Sequence, residues 1–192
     1  MNECRQLAAA AVVHGKIFCC GGSAGGGKFL KSAECYDPSS NVWTLISDMP
    51  KPNAACGVVT MDGYLIVIGG KISNGKDFLS SVWVLDAPDN SAKWIEREPC
   101  LSRPLCHFSI AKIDDKIFVC GGWNADDSVE IFDGEVWKNG PKMPTYRKYA
   151  TAVAVPIELA RVLKQFIVDP LKLEEKQGFE SLEEEFLDWD DP

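Results

Sequence analysis

The chain has 192 residues, 46% of them hydrophobic and 10% aromatic, which excludes a wholly disordered polypeptide. Its formal net charge of −8 is local: residues 169–192 hold ten acidic residues and two lysines, whereas residues 1–168 hold 18 acidic and 18 basic ones. A neutral body without a basic stripe excludes a nucleic-acid-binding surface, and no apolar run reaches the ~18 residues of a membrane span.

The first segment, 7–13, is a short apolar run. A signal-peptide core would have this look, but the only basic residue ahead of it is Arg5, and it serves better as a strand. It leads through the turn His14-Gly15 into KIFCCGG at 16–22. The same hairpin returns as 54–61, Asp62-Gly63 and YLIVIGG at 64–70, and again as 108–113, Asp114-Asp115 and KIFVCGG at 116–122. The second glycines lie 48 and then 52 residues apart. Each hairpin is followed by a third predicted strand that ends in a turn-closing aspartate: 32–37, 81–86 and 128–133. A tryptophan follows in each unit (Trp43, Trp94, Trp137), and each unit closes near a proline (Pro50, Pro99, Pro144).

Four short strands per period of about 50 residues is the pattern of a propeller blade. The hairpin strands are apolar nearly throughout, and 65–68 (LIVI) has no polar face at all, which a sheet covered on both faces explains. Paired glycines permit positive φ where a side chain would clash. The column Tyr36, Leu85, Phe132, with the tryptophans, supplies apolar area for packing between blades.

The sequence resembles the kelch repeat family, and in particular the kelch-like proteins. The family pattern of a double glycine, a later aromatic and then a tryptophan is met by Gly21-Gly22/Tyr36/Trp43 and by Gly121-Gly122/Phe132/Trp137; Gly69-Gly70/Trp94 has Leu85 in place of the aromatic. The resemblance implies an all-β kelch-type β-propeller that is incomplete. The expected blades are 5–50, 52–99 and 103–144, with the first strand of a fourth at 147–156. A short amphipathic helix over 157–168 and an acidic tail complete residues 157–192.

Kelch propellers generally close with about six blades. The expectation is therefore a fragment or truncated isoform of a longer parent, with self-association through exposed blade edges, or two chains completing one ring, as the alternatives. In the tail, Phe179, Leu182, Phe186 and Trp189 recur at helical spacing among carboxylates. That reads either as a solvated acidic terminus or as a linear motif for a partner groove.

No cofactor or metal is expected. The run 22–28 (GSAGGGK) imitates a phosphate-binding loop, but Phe29 stands where a magnesium-binding hydroxyl belongs and a strand follows instead of a helix. Neither His14, in a hairpin turn, nor His107, at a strand start, has a partner at metal or nucleophile spacing. No Cys-x-x-Cys pair exists, and Cys19, Cys20 and Cys120 lie within apolar strands. The expectation is a non-enzymatic, cytoplasmic protein-binding module, although some kelch propellers are oxidases or epimerases.

The resemblance further implies substrate recognition in an adaptor of a cullin-type ubiquitin ligase, or association with the cytoskeleton. It places the loop before the first strand and the loop after the double glycine on one partner-binding face. The positions it nominates are Arg5, Asn53 and Arg147 from the first kind of loop, and Lys28, Asn74, Trp123 and Asn124 from the second.

Overall fold

The computed structural model describes residues 1–86, 92–98, 100–125 and 127–155. They form three four-stranded antiparallel sheets, each with its strands in chain order. The first contains β1 (Ala9–Val13), β2 (Lys16–Cys20), β3 (Ala33–Asp37) and β4 (Val42–Ile46). The second contains β5 (Gly57–Met61), β6 (Tyr64–Ile68), β7 (Val82–Leu85) and β8 (Trp94–Arg97), and the third β9 (Ser109–Ile113), β10 (Lys116–Cys120), β11 (Val129–Phe132) and β12 (Trp137–Asn139). These are the twelve strands the repeat predicts.

Local chemistry sets the turns. His14, Asp62 and Asp114 adopt left-handed φ of 47°, 52° and 51° at the first hairpin turn of each sheet, a conformation that polar residues and glycine tolerate best. Asp37 accepts hydrogen bonds from the Ser39 amide and hydroxyl, and Asp133 from the amides of Glu135 and Val136. Each carboxylate thus closes the turn after its strand.

The sheets stack face to face, with β5 packed beside both β1 and β9. Alternation explains the uninterrupted apolar character of β6. Leu65 and Val67 join Val58, Trp83 and Leu85 in a core shared with Phe18, Cys20, Ala33 and Ile46 of the first sheet. Ile66 and Ile68 point the opposite way, into a second core with Val59, Val82, Ile117 and Val119. The second sheet is therefore covered on both faces, as its sequence requires.

The end sheets are not. Ile17 is 37% exposed, whereas its counterparts Leu65 and Ile117 are 0% and 1% exposed. Val12 is likewise exposed, as is Ile113 at the far end. The aromatic column behaves accordingly. Leu85 with Trp94, and Phe132 with Trp137, fill the two interfaces. Tyr36 stacks on Trp43 at 5.1 Å on the face of the first sheet turned away from the second.

Backbone hydrogen bonds stitch neighbouring sheets along the inner strands. The Ala55 amide donates to Leu7 O, the His107 amide to Ala55 O and the Tyr149 amide to His107 O, at 2.9–3.0 Å. Leu7, Ala55, His107 and Tyr149 all have left-handed φ between 53° and 57°. This repeated kink lets one residue bond forward to the next sheet and backward to the previous one.

The predicted first strand of a fourth blade, 147–156, is not a strand over its described residues. No described segment pairs with it, and a strand needs a ladder partner. Its backbone is held instead by two bonds, Gly122 N–H to Arg147 O and Tyr149 N–H to His107 O. The predicted helix over 157–168 and the tail motif lie outside the described residues.

None of the eight cysteines is disulfide-bonded; Cys19 and Cys20 are buried as expected, whereas Cys120 is only partly buried. Burial is the chief cause of the raised thiol pKa at Cys20, and it pushes that of Cys56 up to about 12. Among the described residues no helix is long and apolar enough to cross a membrane.

Candidate functional site

In each sheet the second strand ends in the paired glycines, at which the chain reverses. Strand alternation then puts the loop after the glycines, the fourth strand's exit and the segment leading to the next sheet at the same end of the stack. The joint is tight. Gly22 N–H donates to Asn53 O at 2.8 Å, while Gly21, at φ 61°, lies so close that a Cβ there would be 2.1 Å from the same carbonyl. The equivalent bonds run from Gly70 N–H to Leu105 O and from Gly122 N–H to Arg147 O.

Arg5, Asn53, Leu105 and Arg147 are therefore equivalent, and the structure separates their side chains. The Arg5 side chain is fully buried, and all five of its donors are used. Nε binds Glu34 at 3.0 Å, Nη1 binds the carbonyls of Gly21 and Ser32, and Nη2 binds Glu3 and the Ser32 hydroxyl. It fastens its own sheet and has nothing left for a ligand, which corrects its expected place on a partner face.

Asn53 is also buried. Its amide donates to Gly69 O at 2.8 Å, and Oδ1 has no partner. It too is structural. Only Arg147 is exposed at this position, because no described sheet follows it to receive its guanidinium.

A carboxylate clasp accompanies Arg5. Glu34, buried on β3, accepts hydrogen bonds from the Asn2 and Glu3 amides and from Arg5. Burial alone would raise its pKa, but these bonds outweigh it and lower it. Glu130 repeats the arrangement with the Ser102 amide at 3.0 Å and its hydroxyl at 2.7 Å. In the second sheet the carboxylate is replaced by Trp83, and Pro50, which has no N–H, stands where Asn2 and Ser102 donate. Clasp and donor are lost together.

The feature suited to a ligand is a cleft of about 410 Å³ between the post-glycine loops of the second and third sheets. The second sheet's loop contributes Lys71, Asn74, Lys76 and Phe78; the third contributes His107, Trp123 and Asn124; Tyr149 closes the inner side. Trp123 is 39% exposed, yet it is held in place. Its Nε1–H donates to the Tyr149 hydroxyl at 3.0 Å, and the Lys148 ammonium lies 4.3 Å from the ring centroid. The Tyr149 ring in turn packs on His107, with centroids 4.3 Å apart. Arg103 donates to Asn124 O, and Asn124 Nδ2 to Pro104 O, both at 3.5 Å.

His107 forms the floor. Burial first, then the positive charges of Lys71 and Lys148, lower its pKa from 6.5 to about 4. Below pH 6.5 the unfolded chain binds a proton that the folded one refuses until about pH 4, so stability is complete above that window and falls as pH drops through it. At pH 5 the loss is expected to be about 2 kcal/mol. Urea midpoints at pH 7.5 and pH 5 check this, and a His107→Gln variant should lose that share of the pH dependence.

Of the predicted face, Asn74, Trp123 and Asn124 come together in this cleft. Lys28 is exposed in a separate depression beside Phe29, Lys31 and Asp48. The GSAGGGK run is a loop between Ser23 and Phe29, which pair with each other across it, and no helix follows. The residues that sequence reading missed are Lys71, Lys76, His107, Lys148 and Tyr149. For Tyr149 and His107 a signal existed: each lies two positions after the Arg147-type position, where Leu7 and Ala55 stand in the other repeats. Among the described residues no group of His, Cys, Asp or Glu is arranged to hold a metal ion. The cleft offers hydrogen-bonding amides, aromatic faces and ammonium groups, and these are means of binding.

The comparisons agree with this architecture. The chain is 28% identical over 145 residues to Kelch-like protein 35 of Mus musculus, covering 76% of this chain and 24% of that protein. It is 28% identical over 165 residues to Kelch repeat and BTB domain-containing protein 12 of Homo sapiens, covering 74% of this chain and 26% of the relative. The chain thus spans about a quarter of the length of either relative. The solved structure of YjhT superposes with a TM-score of 0.68 at 16% identity, over 80% of this chain and 60% of that one, and so shares the fold. The Kelch motif family matches residues 4–50, 52–91 and 104–144, one match to each sheet with only β8 falling outside, and the chain belongs to the kelch-repeat proteins.

Proposed function

We propose that this chain is a protein-interaction module whose partner docks on the face bearing the post-glycine loops. Its role would be substrate recognition for a kelch-like adaptor of a cullin-type ubiquitin ligase. The observation that carries the reading is Trp123, an exposed aromatic fixed by Tyr149 and Lys148 between Asn74 and Asn124. A rigid, partly exposed tryptophan ringed by polar groups is the side chain that most often anchors an interface. The adaptor role is supported by similarity to Kelch-like protein 35 and to a relative whose name includes a BTB domain.

Affinity capture with the full chain tests it. Trp123→Ala is expected to reduce retention of specific partners by about tenfold or more without changing the melting temperature. Retained proteins that are substrates should accumulate in cells when the parent protein is depleted. An unchanged set of captured proteins with a folded Trp123→Ala variant would overturn the assignment of the face.

A further inference from the structure

The cleft also carries information about what it accepts, a reading that rests on the partner-binding role above. Its described lining contains Lys71 and Lys76 but no aspartate or glutamate, and Lys148 adds a third ammonium at the Trp123–Tyr149 wall. The neighbouring Asp77 accepts a hydrogen bond from the Ser73 hydroxyl at 2.6 Å. The surrounding body is balanced in charge, so this patch is a local feature.

A ligand cation is disfavoured by the same geometry. The Trp123 ring already has a resident ammonium at 4.3 Å, and Lys148 also lies 5.7 Å from the Tyr149 centroid. An incoming cation would have to displace a like charge from the aromatic face it needs. An anion meets no such obstacle and gains from the positive charges of Lys71, whose ammonium also lies 5.7 Å from the Phe29 ring centroid, of Lys76 and of Lys148. Burial is the chief cause of the lowered His107 pKa, and the positive charges of Lys71 and Lys148 add to it, which places both ammonium groups within electrostatic reach of the floor.

The remaining lining selects the rest of the ligand. Asn74 and Asn124 bring amides that can both donate and accept, matching the N–H and C=O of an extended peptide. Phe78, Trp123 and Tyr149 offer apolar surface for an adjacent side chain. A cleft of about 410 Å³ accommodates a few side chains and leaves the peptide ends free.

We infer that the cleft between the post-glycine loops of the second and third sheets binds an extended peptide through an anionic side chain, seated among Lys71, Lys76 and Lys148, with a neighbouring apolar side chain against Trp123. A carboxylate and a phosphorylated residue share this chemistry.

Fluorescence polarisation with the full chain distinguishes them. The probes are fluorescein-labelled Gly-Ser-Glu-Leu-Glu-Ser-Gly, the same peptide with both glutamates replaced by glutamine, and the same peptide with both replaced by phosphoserine. The glutamate or phosphoserine probe is expected to bind about tenfold or more tighter than the glutamine probe, and to weaken between about 50 and 300 mM salt. The tighter of the two names the source of the charge. Lys76→Glu, on an exposed loop, and Lys76→Glu/Lys148→Glu should progressively abolish that preference while melting as the parent does.

Equal affinity for the glutamine probe, an unaffected double variant, or no binding of any probe up to about 1 mM overturns the inference. The two readings fail separately. Partner capture that survives Trp123→Ala removes the face itself. Capture lost with Trp123→Ala while the glutamate and glutamine probes bind alike removes only the anionic ligand.

Discussion

Replacing Gly21 with alanine is expected to destabilise the protein by about 3 kcal/mol or more, a large part of the ~5–15 kcal/mol that holds an ordinary domain together. Two costs add. The backbone has φ 61°, which an L-residue adopts at a cost of roughly 1–2 kcal/mol. The new Cβ would also be 2.1 Å from the Asn53 carbonyl oxygen, so the joint between the first and second sheets must open. Opening it threatens the adjacent bond from Gly22 N–H to that carbonyl. Gly25→Ala is the control: it has φ 89° but nothing within 4 Å of the place its methyl would take, so only the conformational cost applies. Urea unfolding of both variants separates the effects. Equal losses would show that the close approach contributes nothing.

Removing the Arg5 guanidinium is expected to have an effect of similar size. Arg5→Met deletes the five hydrogen bonds that tie the leading segment to Gly21, Ser32, Glu3 and Glu34, and it leaves Glu34 buried with only backbone donors. Breaking one side of a buried pair costs about 3–5 kcal/mol, whereas replacing both partners with apolar groups is often nearly neutral. The double variant Arg5→Met/Glu34→Met should therefore be more stable than Arg5→Met alone, as measured by thermal melting. The second sheet supports this, since it works with Asn53 and Trp83 in those places. The clasp also has a pH signature. Because the folded pKa of Glu34 is lowered, its contribution is present above the ordinary glutamate value of about 4.5 and is lost as pH falls from there through the folded value.

Much of the architecture was legible from residues alone. The double glycines, the short turns and the regularly placed tryptophans each occur once per sheet, and local chemistry dictates them. The unbroken apolar run of β6 announced a sheet covered on both faces, and Leu65 and Ile66 do face opposite cores. The site was legible only in part. Asn74, Trp123 and Asn124 were nominated through the kelch resemblance, which places the loops after the double glycines on one face, and the three line the same cleft. Lys71, Lys148 and Tyr149 were missed because their meeting depends on how the third sheet and the segment after it stack against the second.

Arg5 illustrates the same limit from the other side. By alignment it is the twin of Arg147, yet one guanidinium is buried and saturated while the other is exposed. The difference lies in what each residue has around it: Arg5 precedes a sheet that supplies Glu34, Gly21 and Ser32, whereas no described sheet follows Arg147. The sequence by itself determined the repeat, the strand pairing and the glycine joints, because these depend on interactions within about 50 residues. Tertiary structure decided which polar side chains became struts and which became surface, because that choice is set by the neighbouring sheet that each one meets or lacks.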